Sequence, residues 1–296
     1  MRVILFNTLY HPYKVGGAEL SVQALAEKFS NLGLTIGVVT LAEEEGEFEI
    51  NGVKIWRLKL ENTFWPFGEQ VRSNFEKLQW HLVDVYNTSY KKKINEIINL
   101  FYPDVIHTNN LSGFSVHLWK IIKTRNIKIV HTLRDYYLLC PKTTKFKNGN
   151  TCTKTCVDCA ILSFVKKKAS QNVDAVVGIS DYILNEHIEK GLFKNAQKKV
   201  IFNGFEINET NNKPLIFDHN SYLKFGYIGQ INKAKGVEVL LKSLSNYKSL
   251  KNWEICVAGK ITDKYKQELE LLLPKEKLRL IGYTNQEIFF EKINIS

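Results

Sequence analysis

The opening run Arg2-Val3-Ile4-Leu5-Phe6, turning polar at Asn7, and the turn Gly16-Gly17-Ala18-Glu19 that follows decide the fold. The run is too short and too apolar for a surface helix, so it reads as a buried strand. Residues 18–31 place Leu20, Ala24, Leu25 and Phe29 on one helical stripe that Leu32 extends, and Gly33 ends the helix. Residues 35–41 return to β-branched and apolar character. A strand, a glycine-bearing loop, a helix and a second strand form the first step of a parallel α/β sheet.

The same alternation continues outward. Strands are expected at 53–58, 104–107, 127–132, 175–179 and 199–202. A long polar and aromatic stretch, 64–100, reads as mainly helical, and further helices are expected at 115–124, 160–171 and 181–190. Residues 208–221 are polar and contain Pro214, which suggests a linker. A second series follows: strands at 223–228, 253–258 and 278–281, helices at 237–244, 263–272 and 285–292. The expected architecture is two Rossmann-like, doubly wound α/β domains, 1–207 and 222–296, with ligands bound in a cleft beyond the carboxyl ends of the strands. The second domain, with about three strands where five or six are usual, is expected to be incomplete.

Composition narrows the function. Of 296 residues, 44% are hydrophobic and 24% charged, which excludes collagen-like, disordered and disulfide-scaffold classes. No apolar run approaches the roughly 20 residues of a membrane span, and the start lacks the apolar core of a signal peptide, so a cytoplasmic protein is expected. The net charge is +11, but 35 of the 41 basic residues are lysine, a balance unlike that of nucleic-acid readers; no nucleic-acid partner is expected. The excess concentrates at 140–168, where seven lysines face one acid, Asp158. Such a patch suits an anionic membrane surface or an acidic substrate, and equally a solvated loop.

The glycines at 16 and 17 would let backbone N–H groups approach a ligand at a helix N-terminus, where phosphate is favoured; a tight turn is the plainer explanation. The turn is neither Gly-x-Gly-x-x-Gly nor a Walker A loop. Other polar groups fall at strand ends: His107-Thr108-Asn109-Asn110, His131-Thr132-Leu133-Arg134-Asp135, Gly178-Ile179-Ser180, Asn203-Gly204, and, in the second series, Gly229-Gln230 with Lys235-Gly236.

In this order the residues resemble the retaining glycosyltransferases of family 4, of GT-B fold. The similarity rests on Gly16-Gly17-Ala18-Glu19, on Thr132-Leu133-Arg134-Asp135-Tyr136-Tyr137 running to Cys140-Pro141, on Val200-Ile201-Phe202-Asn203-Gly204, and on Tyr227-Ile228-Gly229 followed by Lys235-Gly236-Val237. The resemblance implies a hexosyl-type transferase that moves a sugar from a UDP- or GDP-linked donor to a glycan or lipid-linked acceptor, without an obligatory metal. It also implies work in bacterial surface polysaccharide assembly, at or near the inner face of the plasma membrane. Donor contacts would come from Gly16, Gly17, Gly229, Gln230 and Lys235, the lysine neutralising the leaving diphosphate. Catalytic candidates are Arg134, Asp135, His107 and His131. The chain departs from the family at Gln230, where Arg is common, and at Arg134, where His is common. It also ends before the family's paired-glutamate donor segment, so it looks truncated, and weak or absent transfer is expected. A non-catalytic remnant that binds acceptor or partner is the alternative. A nicotinamide dehydrogenase is disfavoured by the missing glycine fingerprint.

Cys140, Cys152, Cys156 and Cys159 cluster in the lysine-rich segment, while Cys256 falls in an expected core strand. In a reducing compartment four such thiols suggest a structural zinc site before disulfides, with free thiols the simpler reading.

Overall fold

The computed structural model describes residues 1–13, 16–68, 70–204, 222–247, 252–284 and 288–290. The expected linker at 208–221 and most of the expected helix at 285–292 lie outside the described residues. The chain divides into two compact units, Met1–Lys145 with Cys152–Glu206, and Phe146–Thr151 with Ile207–Ser296.

The larger unit runs β1 (Arg2–Phe6), α1 (Gly17–Asn31), β2 (Thr35–Ala42), β3 (Gly46–Ile50), β4 (Val53–Lys59), α2 (Asn74–Val85), α3 (Lys91–Phe101), β5 (Val105–Thr108), α4 (His117–Lys123) and β6 (Lys128–Leu133). A short hairpin, β7 (Phe146–Lys147) and β8 (Asn150–Thr151), interrupts it. Then come α5 (Val157–Ala169), β9 (Ala175–Gly178), α6 (Asp181–Glu189) and β10 (Gln197–Val200). Eight strands form one sheet in the order β10-β9-β6-β5-β1-β2-β4-β3, all parallel except β3, which returns antiparallel to β4.

Register splits each strand between two cores. Val3 and Leu5 point with Ile36, Val38 and Ile55 toward Val22 and Ala26 of α1. Ile4 and Phe6 point the other way, with Val39 and Ile106, into a larger core that holds Ile98 and Phe101 of α3 and Trp119 of α4. Buried apolar runs of this kind belong to parallel sheets covered on both faces.

The structure differs from the sequence reading in several details: β10 spans Gln197–Val200 rather than 199–202, α5 begins at Val157 rather than 160, and the hairpin β7–β8 falls where no element was expected. The mainly helical stretch 64–100 holds two helices, and α2 begins only at Asn74, where Ser73 and Glu76 form a reciprocal capping box. Strand β3 was absent from the expected elements. Its alternating Gly46-Glu47-Phe48-Glu49-Ile50 precedes an Asn51-Gly52 turn in which both residues take positive φ, 52° and 72°.

The smaller unit contains β11 (Leu223–Ile228), α7 (Val237–Asn246), β12 (Trp253–Ala258), α8 (Asp263–Glu270) and β13 (Leu278–Gly282). Its parallel sheet has the order β11-β12-β13, and Val237, Leu241, Trp253, Ile255, Val257 and Leu269 form its core.

Candidate active site

The carboxyl ends of β1, β5, β6, β9 and β10 lie side by side, so the loops leaving them form one polar edge. Arg134, just past β6, ties that edge together. Its Nε donates to Asn109 Oδ1 beyond β5 at 2.9 Å, and its Nη1 donates to Asn203 Oδ1 beyond β10 at 2.7 Å. Burial pulls the guanidinium down to about 10, opposed by the negative Glu19 at the start of α1, so it stays a cation at neutral pH. Gly16 N–H donates to Glu19 Oε2 at 2.8 Å, which fixes the first turn of α1.

Asp135 faces inward. It accepts from Tyr137 N–H and from Asn110 Nδ2, both at 2.8 Å. Burial pushes its carboxyl up to about 6. Behind it Lys166 is 3% exposed, donates to the Tyr137 carbonyl at 3.1 Å and supplies positive charge to both Asp135 and Asp84. Asp84 accepts from Gly113 N–H at 2.6 Å, and Tyr137 Oη donates to the Asp84 carbonyl at 3.0 Å. The segment after β6 is thus held from below by a buried Asp84–Lys166–Asp135 group. Sequence reading missed Asp84 and Lys166. The available signal was Asp84 one turn beyond Trp80, on the core side of α2.

The two histidines lie on opposite faces of the sheet. His107 bonds Thr132 Oγ1 across to β6 at 2.8 Å, and burial drives its imidazole down to about 4, so it is neutral. It lines an apolar groove of about 750 Å³ on the α1 side of the sheet, floored by Val3, Val105, Val130 and Val177, with Arg134 and Asn203 also on its wall. His131 points into the opposite core, 3% exposed and stacked on Phe193, with Nδ1 at 2.9 Å from Thr108 Oγ1. Burial lowers its pKa well below the usual histidine range. Neutral imidazoles held this way are acceptors or single donors, not reservoirs of charge.

The diglycine turn differs from a strained structural turn. A Cβ at Gly17 would meet no described atom within 4 Å, and one at Gly16 only Glu19 Oε2 at 3.9 Å. Gly16 is extended, with φ −154°. Among the described residues, the fold gives no steric reason for glycine at either position.

In the smaller unit the reverse holds. A Cβ at Gly259 would lie 1.7 Å from the Gly229 carbonyl oxygen, so the loops after β11 and β12 touch backbone to backbone. Gly229 N–H donates to Ala258 O at 2.9 Å. Gln230 is exposed. Lys235 is exposed at the end of a short 3-10 turn capped by Asn232, whose Oδ1 accepts from Lys235 N–H at 3.1 Å. Gly236, with φ 73°, then turns the chain into α7. No acidic side chain among the described residues pairs with Lys235.

Cys156 and Cys159 have Sγ atoms 3.5 Å apart at the start of α5, and Cys159 also contacts Cys140. Burial and these neighbouring thiols push Cys159 up to about 12. Cys152 lines the same 260 Å³ pocket. No three ligand-type side chains among the described residues already surround one metal position.

The architecture is that of the GT-B glycosyltransferases. HepE of Anabaena, solved with UDP and glucose, matches with a TM-score of 0.60 at 15% identity, over 96% of this chain and 70% of its own. A glycosyltransferase of Rickettsia africae matches with a TM-score of 0.58 at 16% identity, over 99% and 70%. WaaG, a glycosyltransferase involved in lipopolysaccharide biosynthesis, gives 0.55 at 13% identity, over 96% and 71%. Residues 15–209 match the model of Glycosyltransferase Family 4. A 42.6 kDa protein of the cps region of Klebsiella pneumoniae, itself uncharacterized, is 37% identical over 297 residues, spanning all of this chain and 78% of its own length. The chain belongs to glycosyltransferase family 4 and is a glycosyltransferase enzyme.

Proposed function

We propose that the protein transfers a hexosyl group, with retention, from a UDP- or GDP-linked sugar to a glycan or lipid-linked acceptor during surface polysaccharide synthesis on the cytoplasmic side of the membrane. The observation that carries the proposal is the pair of glycines at the start of α1. The described fold does not require them, yet they keep Cβ atoms away from the first turn of α1, where Glu19 holds Gly16 N–H and interacts with the cationic Arg134. A helix N-terminus that no side chain crowds suits phosphate and the substituents of a sugar. In the smaller unit Lys235 and the amides opening α7 would carry the diphosphate, and Gly229 with Gln230 the rest of the nucleotide. Transfer needs charge stabilisation on the departing phosphate more than covalent help, and Lys235 supplies a cation for it. The relative from a cps region and the lipopolysaccharide enzyme among the solved folds support the polysaccharide setting.

The decisive experiment titrates purified protein with UDP- and GDP-sugars and follows transfer to a lipid-linked glycan acceptor. Saturable binding to one nucleotide class, weakened at least about tenfold by Lys235→Ala, is expected. Absence of saturable binding to both classes refutes the proposal. Binding without any turnover identifies the chain as a binding remnant.

In this reading no catalytic metal ion takes part, and added Mg²⁺ or Mn²⁺ leaves the rate within about twofold. Separately, Cys140, Cys152, Cys156 and Cys159 are proposed to close around a structural zinc. The 3.5 Å separation of Cys156 and Cys159 is near the edge of a tetrahedral zinc–thiolate site, roughly 3.8 Å for zinc–sulfur bonds of about 2.3 Å. Metal analysis should find close to one zinc per chain, and under about a tenth removes the idea.

A further inference from the structure

Two neighbouring helices of the larger unit direct large apolar side chains away from the core. The core side of α2 is Trp80 and Asp84, while Phe75, Leu78 and Leu82 are 68%, 49% and 57% exposed. Their spacing of three and four residues makes one stripe along the helix. In α5 the core side is Leu162 and Lys166, while Val157, Ile161 and Phe164 are 72%, 67% and 69% exposed, again one stripe. The two helices pack against each other. Single exposed apolar residues are ordinary, but a stripe on each of two adjoining helices is not.

The charge around the stripes selects the partner. Lys168 continues the α5 stripe one turn beyond Phe164, and Lys154 and Lys167 are exposed beside it. Protein interfaces are depleted in lysine at their centres. A lipid surface instead takes apolar side chains into the headgroup boundary and lets long lysine stems reach the phosphates. No described helix is long and apolar enough to cross a membrane, so contact would lie in the plane of the interface. Phe64 and Trp65 do not share this role, because Trp65 packs on the main core and Phe64 against Trp80.

We propose that the paired outer faces of α2 and α5 seat the protein on an anionic lipid bilayer, with Phe75, Leu82, Ile161 and Phe164 inserted and Lys154 and Lys168 on the lipid phosphates.

The test is co-sedimentation of the full chain with phosphatidylcholine vesicles, with and without one-third phosphatidylglycerol. Wild type should bind the anionic vesicles at least about tenfold more tightly than the neutral ones. Leu78→Asp combined with Ile161→Asp, and separately Lys154→Gln with Lys167→Gln and Lys168→Gln, should each lower that binding by about tenfold or more. Val239→Asp, on the exposed side of α7, should leave it unchanged. Circular dichroism verifies folding, and if the aspartate pair unfolds, Leu82→Ser with Phe164→Ser reads the same effect. The proposal is overturned if wild type ignores anionic vesicles, or if the stripe variants bind them as well as wild type does. It is equally overturned if gel filtration shows a wild-type dimer that the stripe variants dissociate while vesicle binding persists.

Discussion

At Arg134 one planar guanidinium reaches two amide oxygens, Asn109 and Asn203, that lie 25 and 69 residues away in sequence. Arginine can do this because its donors form a rigid fork, whereas lysine offers one flexible ammonium. Arg134→Lys should therefore keep the charge and lose the geometry. The expected result is a fall in kcat/KM of at least about tenfold with little change in thermal stability. Steady-state kinetics beside a melting curve decides it, and a variant within twofold of wild type takes Arg134 out of the mechanism. The residue itself was legible from its place after an apolar strand. Its partners were not, because a hydrogen bond across that much chain leaves no local pattern. Asp84 and Lys166 were hidden for a related reason: a charge on a helix reads as solvent-facing until tertiary packing buries it.

Among the elements, β11 and β12 match the sequence reading to the residue, because short runs rich in aromatic and β-branched residues between polar flanks define a strand well. The stretch 64–100 is mainly helical as expected, and its internal boundaries lay in punctuation that the reading passed over. Ser73-x-x-Glu76 marks a helix start, and Asn51-Gly52 marks the hairpin that adds β3. Two glycine substitutions separate function from fold at this scale. Gly17→Ala has open space and a helical position, so stability should hold within about 0.5 kcal/mol while donor affinity drops; equal loss in both would make the glycine structural. Gly259→Ala drives a Cβ onto a carbonyl oxygen at φ 156°, and urea unfolding should show a cost of about 2 kcal/mol or more. A cost below 0.5 kcal/mol would mean the two loops separate easily.

Over the whole molecule, stability should depend on pH mainly through buried histidines. Burial lowers the pKa of His81, His107, His117, His131 and His187, so the unfolded chain binds more protons than the native one below the ordinary value of 6.5. Stability from these groups is complete above 6.5 and is lost as pH falls below it. Asp84 and Asp135, raised to about 6, act in the opposite sense, since the native state takes up protons there before the unfolded state does. Five groups against two give net loss on acidification from pH 7 to 5. His131→Phe should flatten the slope of unfolding free energy by up to about 1.4 kcal/mol per pH unit, the value of one proton. Asp84→Asn should steepen it. Urea titrations across that range provide the check, and an unaltered slope for His131→Phe would remove histidine linkage as the cause.

The reversed strand β3 also governs behaviour in crowded solution. It forms one border of the eight-stranded sheet, and Glu47 and Glu49 stand exposed along it. A second molecule offering the same border would bring carboxylate against carboxylate, so growth of fibrillar stacks from that side is discouraged at neutral pH. Protonation removes the repulsion, which makes acidic storage the condition under which such growth would begin.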